Sequence, residues 1–293
     1  MERPSGRSNQ LRTYLAMNLA IDNLSKRYGN GALVLEDLSL HIQGSGITAI
    51  IGSSGAGKST LLRCINRLVE PTSGTVTLDG IEITRLQGAE LRNMRRSIGM
   101  IFQNFNLVDR LSVMENVLSG RLGYVSLYQA ASRRYPQTDI DRAFSLLERV
   151  GLQDYVNKRA DTLSGGQRQR VGVVRALMQE PRLLLADEPT ASLDPKTSVQ
   201  ILELIDDISR ELDLPVLLNI HNVSQARQFS QRIVGLRFGS IIFDGTAADL
   251  DEAALDRVYE GTAGTGDEDD WTPAARRAAP ASSRRDLVED PQA

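Results

Sequence analysis

The residues of this chain that could do chemistry are suited to phosphate. Gly52, Ser53, Ser54, Gly55, Ala56, Gly57, Lys58, Ser59 and Thr60 run consecutively between an apolar stretch and an amphipathic one. They fit G-x-x-x-x-G-K-[ST], a pattern that acts as a phosphate loop only in a strand–turn–helix context, and these flanks supply it. Glycines admit backbone angles closed to other residues, so successive N–H groups can converge on an anion. A helix beginning near Lys58 adds free amides and its positive dipole end. Lys58 can reach terminal phosphates, and the Ser59 hydroxyl can hold Mg²⁺. The whole loop, Gly52 to Thr60, is expected to line a nucleotide.

Three further side chains stand where apolar runs end. LLLAD ends on Asp187, which can hold the metal through water opposite Ser59. Glu188 follows and can polarise an attacking water as a general base. Gln103 follows the run 98–102 and His221 the run 215–220. The carboxyl end of a strand is where ligands bind in open α/β sheets. Gln103 could touch Mg²⁺ or the water, and His221 could contact the γ-phosphate and orient the water. A second anion site is expected at Ser164-Gly165-Gly166-Gln167, where Ser164 is a natural N-cap and two glycines leave the helix start bare. One γ-phosphate would not easily lie against both sites of a monomer if they sit on different lobes. The economical resolution is a dimer in which this motif closes over the partner's nucleotide. Asp194-Pro195 reads as an N-cap and first helical residue.

Other elements must hold these groups in place. Leu19, Ile21, Leu38, Leu40 and Ile42 alternate about the turn residues 28–31, which predicts antiparallel strands with one wet face. Tyr28 beside that turn could stack on an adenine ring, or be an ordinary strand tyrosine. A hairpin is expected over 74–83, a polar helix over 89–96, and helices over 113–118 and 140–150. The latter shows Ile140, Phe144, Leu147 and Val150 at helical spacing. After Asp194 a helix should bury Ile201, Leu204, Ile205, Ile208 and Leu212. A hairpin over 233–243 and a helix over 247–259 complete the pattern. Segment 120–138, with Tyr124, Tyr128, Arg133 and Arg134, reads as a solvated face or a docking surface.

The 293 residues suffice for one large or two small domains, and 41% hydrophobic with 24% charged residues is ordinary for a globular protein. A net charge of -3 gives no basic footprint for a nucleic-acid partner. Cys64 is the single cysteine and reads as core filler in a reducing compartment. No apolar run approaches the ~20 residues of a membrane span. Residues 1–16 read as a loose extension, with Met17 an alternative start, and 261–293 as a disordered acidic tail in which Trp271 is unexplained.

Together GSSGAGKS, LSGGQ, LLLADE, SLD and His221 resemble the ATP-binding subunit of ABC transporters over nearly the whole of 17–261. The resemblance implies an α/β fold: a P-loop (RecA-like) core, an antiparallel β subdomain and an inserted helical subdomain at about 104–178. It also implies that Tyr28 stacks on adenine, that Gln103 is the Q-loop glutamine, and that Ser164 and Gly166 meet the γ-phosphate of the opposite subunit. The nucleotide would be ATP with Mg²⁺, gripped by Gly52 to Thr60, by Ser164 to Gln167 and by Asp194. The partners would be a second copy head to tail, transmembrane permease subunits, and a substrate-binding protein indirectly. The place would be the cytoplasmic face of the inner membrane. A narrower resemblance, to phosphonate-importer ATPase subunits, rests on the stretches 102–123 and 158–198. Import of phosphate, phosphite or another small solute, or a soluble ABC ATPase acting elsewhere, are the alternatives.

Overall fold

A computed structural model describes residues 17–260; the N-terminal extension and the acidic tail, with Trp271, lie outside the described residues. The chain begins with β1 (Asn18–Arg27) and β2 (Leu33–Gln43), an antiparallel pair whose inward residues, Leu19, Ile21, Leu38 and Leu40, are those of the alternating pattern. It then crosses to β3 (Ile47–Ile51) and α1 (Lys58–Ile65). It returns to the first sheet with β4 (Ser73–Leu78) and β5 (Ile81–Glu82), giving the order β2-β1-β4-β5.

Helix α2 (Gly88–Arg96) and strand β6 (Ile98–Ile101) follow. Four helices come next: α3 (Val113–Leu118), α4 (Leu127–Ala131), α5 (Gln137–Arg149) and α6 (Gly165–Leu177). Reciprocal capping boxes start three of them, Ser112 with Glu115, Ser126 with Gln129 and Ser164 with Gln167, so amides at their starts are satisfied locally. Val113, Val117, Leu147, Val171, Val174 and Met178 belong to one core among these helices.

The remainder is β7 (Leu183–Asp187), α7 (Pro195–Glu211), β8 (Val216–Asn219), α8 (Val223–Phe229), β9 (Arg232–Arg237), β10 (Ser240–Gly245) and α9 (Glu252–Tyr259). The second sheet runs β10-β9-β3-β8-β7-β6, parallel except for β10 on the edge. Its central strands are apolar on both faces because both are covered. Leu183, Leu185, Leu217 and Ile50 enter the core beneath the antiparallel sheet. Leu184, Ala186, Leu218, Ala49 and Ile51 enter the core under α7, α8 and α9.

Several expectations shift. Leu212 is exposed, because α7 ends at Glu211 and leaves it as the C-cap. Phe144 is exposed too, and Ala143 and Leu147 form the buried stripe of α5. The last helix begins at Glu252, where Asp251 accepts from the Ala254 amide, not at 247. Helix α8 lacks a strong periodic signal in the sequence; Asn222 caps it.

Candidate functional site

Strands β3, β6, β7 and β8 run parallel, and the carboxyl end of each lies within two residues of a candidate for the site: Gly52, Gln103, Asp187 with Glu188, and His221. From β3 the chain passes through Gly52 (φ 144°) and Gly55 (φ 81°) to Gly57 (φ 104°), the N-cap of α1. A Cβ on Gly52 would lie 2.2 Å from the Leu236 carbonyl oxygen, whereas one on Gly55 would meet nothing within 4 Å. Glycine is thus required at the first position by packing and at both by backbone angle.

Lys58 is buried, and its ammonium donates to the carbonyls of Gly52 at 2.7 Å and Ser53 at 3.0 Å. Burial lowers its pKa, while the Glu188 and Asp187 carboxylates oppose that. A cation held by neutral carbonyls of its own loop can exchange them for phosphate oxygens, which bind it more strongly.

Ser59 donates from Oγ to Asp187 Oδ1 at 2.6 Å, which joins the head of α1 to the end of β7. The fully buried Asn219, last residue of β8, donates from Nδ2 to the same Asp187 oxygen at 2.8 Å and to Ser59 Oγ at 3.2 Å. Arg63, one turn after Ser59, reaches Asp187 Oδ2 at 3.3 Å. Motif spacing points to neither Asn219 nor Arg63. Their only signals are an amide inside the apolar run 216–220, and an i+4 cation on the Ser59 face of the helix.

Glu188 takes the left-handed conformation (φ 49°), with its amide donating to the Asn219 carbonyl at 3.1 Å. Non-glycine residues in that region cost roughly 1–2 kcal/mol, and such strain gathers at functional sites. The turn sets Glu188 Oε1 2.6 Å from His221 Nε2. That hydrogen bond, more than the nearby charges of His221 and Lys58, holds the Glu188 carboxyl below its ordinary pKa despite burial. Gln103 lies two residues past Ile101, the last residue of β6, which pairs with Ala186 on the adjacent strand β7.

Tyr28 and Asp194, expected at the nucleotide, join none of these hydrogen bonds. Tyr28 is exposed in the β1–β2 turn, with the Lys26 ammonium 4.8 Å from its ring centre. His41 pairs with Asp22 on an exposed strand face. Cys64 is buried and its thiol is pushed up to about 11, as befits core filler. Asp194 caps α7 by accepting from the Thr197 amide at 3.0 Å.

The start of α6 is less bare than expected. Gln167 donates its amide to Ser164 Oγ and accepts the Ser164 amide at its side-chain oxygen, at 3.0 Å. The amides of Gly165 and Gly166 take no part in this cap. A Cβ on Gly166 would lie 2.5 Å from the Thr197 methyl, so this glycine also lets α6 approach α7.

Among the described residues no group of three or more His, Cys, Asp or Glu is placed to hold a metal. Mg²⁺ does not need one, since it keeps several waters and takes one or two protein oxygens beside substrate phosphates. The converging oxygens of Ser59 and Asp187 fit that demand.

The family model described as ABC transporter matches residues 35–191, and the chain belongs to that family. A phosphonates import ATP-binding protein, PhnC 1 of Ruegeria sp. (strain TM1040), is 64% identical over 243 residues, covering 83% of this chain and 95% of that protein. PhnC 2 of Synechococcus sp. (strain JA-2-3B'a(2-13)) is 58% identical over 253 residues, 86% of this chain and 91% of the other. Among solved structures, the dimeric post-hydrolysis ATP-binding cassette MJ0796 bound to ADP and Pi is 34% identical with a TM-score of 0.66, covering 78% and 98% of the two chains. The cbiO1 subunit of the cbiONQ transporter from Clostridium perfringens is 28% identical with a TM-score of 0.70, covering 82% and 92%.

Proposed function

We propose that this chain is the ATP-hydrolysing subunit of an importer for phosphonates. The observation that carries the hydrolytic part is the contact of Glu188 with His221 at the edge where the phosphate loop and Asp187 meet. The cargo rests on the relatives, several of which are phosphonates import ATP-binding proteins at 52–64% identity.

Gly52 to Thr60 would wrap the phosphates of ATP, with Lys58 leaving its two carbonyls for phosphate oxygens, and Tyr28 would stack on the base. Ser59, Asp187 and Gln103 would hold Mg²⁺, which supplies charge neutralisation on the phosphates. Glu188 is ionised at neutral pH and takes a proton from the attacking water as the water adds to the γ-phosphorus and ADP leaves. His221 fixes the carboxylate and faces the γ-phosphate. The amides of Gly165 and Gly166, with Ser164, Gln167 and Asp194, would act in trans on the nucleotide of a second copy arranged head to tail. Donors supplied in trans are worth on the order of 10³–10⁵ in rate, by analogy with arginine fingers.

Residues 17–260 then serve as one ATPase domain, with the helical part at about 104–178 turned to the membrane partner. No described helix is long and apolar enough to cross a membrane. Attachment at the cytoplasmic face would come through permease subunits, which would receive cargo from a substrate-binding protein. Their place is a groove of about 700 Å³ between α2 and the segment 119–130, with Leu68, Phe102 and Leu122 on its walls and Arg92 and Arg96 beside them.

The test is growth of a deletion strain on an alkylphosphonate as sole phosphorus source. Wild type should restore growth and Lys58→Ala should not, while all strains grow on phosphate. Normal growth of the deletion strain on phosphonate, with no second importer present, overturns the cargo.

A further inference from the structure

The loop after Gln103 takes a costly shape, and one side chain of α6, Arg175, grips its two left-handed residues. Phe105 and Asn106 are both left-handed, with φ of 58° and 50°. Asparagine tolerates that region better than phenylalanine does. The carbonyls of both residues accept from Arg175 on α6. Nη2 bonds Phe105 O at 2.9 Å, and Nη1 bonds Asn106 O. A guanidinium fork can grip two neighbouring acceptors at once in a fixed geometry, which a point-like ammonium does not offer. Burial pushes the pKa of Arg175 down, so the two carbonyls take the place of water around a charge that is costly to desolvate.

Two further contacts set the limits of the loop. At its far end the buried Asn116 clamps Val108, accepting from its amide at 2.8 Å and donating to its carbonyl at 3.1 Å. At its near end β6 finishes at Ile101. Between those anchors Arg175 bonds the loop from a distant helix, helped by the Arg168 guanidinium over the Phe105 ring at 5.3 Å. Arg175 also lines the groove, and its own carbonyl lies where a Cβ on Gly120 would meet it at 2.3 Å.

We propose that Arg175 is a positioning residue for Gln103: it fixes the loop that carries the glutamine, and it does so from the wall of the groove. A partner seated in the groove would lie against the same side chain, which joins docking to the loop of Gln103. The inference rests on the reading of Gln103 as a residue of the hydrolytic site.

The experiment uses the full chain. Arg175→Lys keeps the charge and loses the fork, and Arg175→Gln is the second variant should the first fold poorly. Hydrogen exchange of the amides 104–107 should rise about tenfold or more while α1 and β3 stay protected. The kcat for ATP should fall about tenfold with KM within about twofold, since the phosphate loop is untouched. The double variant with Gln103→Ala should be no slower than Gln103→Ala alone, because both changes remove one function. Unchanged exchange in both Arg175 variants, or losses that multiply in the double variant, overturn the proposal. If Gln103→Ala alone leaves kcat unchanged, the hydrolytic reading of Gln103 fails, and the exchange result still decides whether Arg175 holds the loop.

Discussion

The phosphate loop and the groove lined by β6 both draw on the same sheet and are built from the chain in opposite ways. Consecutive residues from Gly52 to Ser59 would make the proposed anion cradle, and a single helix start would complete it. The groove draws its walls from Leu68 after α1, Arg92 on α2, Phe102 after β6, Leu122 beyond α3 and Arg175 on α6. A cradle of neighbours is fixed by backbone angles and can be damaged by one atom. A groove of distant segments is fixed by helix packing, and its surface residues can change without loss of fold. On the proposed reading, chemistry falls to the first kind of site and partner choice to the second.

The largest test of this contrast lies at the cradle's edge. Glu188→Gln should bind ATP normally and lose about 10²–10⁴ in hydrolysis, the range of a general base, in a single-turnover assay. Undiminished turnover would remove Glu188 from that role. Lys58→Ala should weaken ATP binding by about tenfold to a hundredfold, as expected for hydrogen bonds to a charged group, when titrated with a fluorescent nucleotide.

Packing within the motifs comes next. Gly166→Ala must push the Thr197 methyl aside and should cost about 1–3 kcal/mol in denaturant unfolding. Gly55→Ala meets no atom but keeps its positive φ, and should cost about 1 kcal/mol. If the two reverse in order, close approach of α6 to α7 is not what selects glycine at 166. In the groove, Leu122→Asp should leave hydrolysis by the isolated subunit unchanged within about twofold, because the side chain is half exposed, and should abolish co-purification with permease subunits.

The smallest effect is on pH. The Glu188 carboxyl titrates below its ordinary value in the folded chain, chiefly because of the hydrogen bond from His221. Its ionised form therefore contributes stability that is complete above the ordinary glutamate value and is lost as pH falls through the lower folded value. His221→Ala removes the main cause of that shift. The acid limb of stability, followed by melting between pH 6 and pH 3, should fall less steeply in the variant than in the wild type. The difference should be small, because solvent reaches this edge and screens the pair.

The motifs were legible because their chemistry is local. Glycines at fixed spacing before Lys58, apolar runs closing on Asp187 and His221, and Ser164 before two glycines each state a backbone geometry within a few residues. The doubly covered strands were legible for a related reason: an apolar run such as 183–186 has no wet face to pattern. Asn219 and Arg63 were not legible, because nothing near them in the chain says that their side chains meet at Asp187. The same holds for the closed cap of α6 and for Gly166, whose need for glycine comes from Thr197 on another helix.

By itself, then, the sequence determined which residues could bind phosphate and move a proton, and most of the segments that form strands or helices, α8 excepted. Those properties follow from side-chain chemistry and from periods of two and 3.6 residues. Only the tertiary structure decided that Ser59, Asp187, Asn219, Glu188 and His221 form one hydrogen-bonded chain. Only it decided, too, that Arg175, 70 positions beyond Phe105, grips the loop behind Gln103. Contacts between distant segments depend on how sheets and helices pack around a shared core, and no local pattern encodes that register.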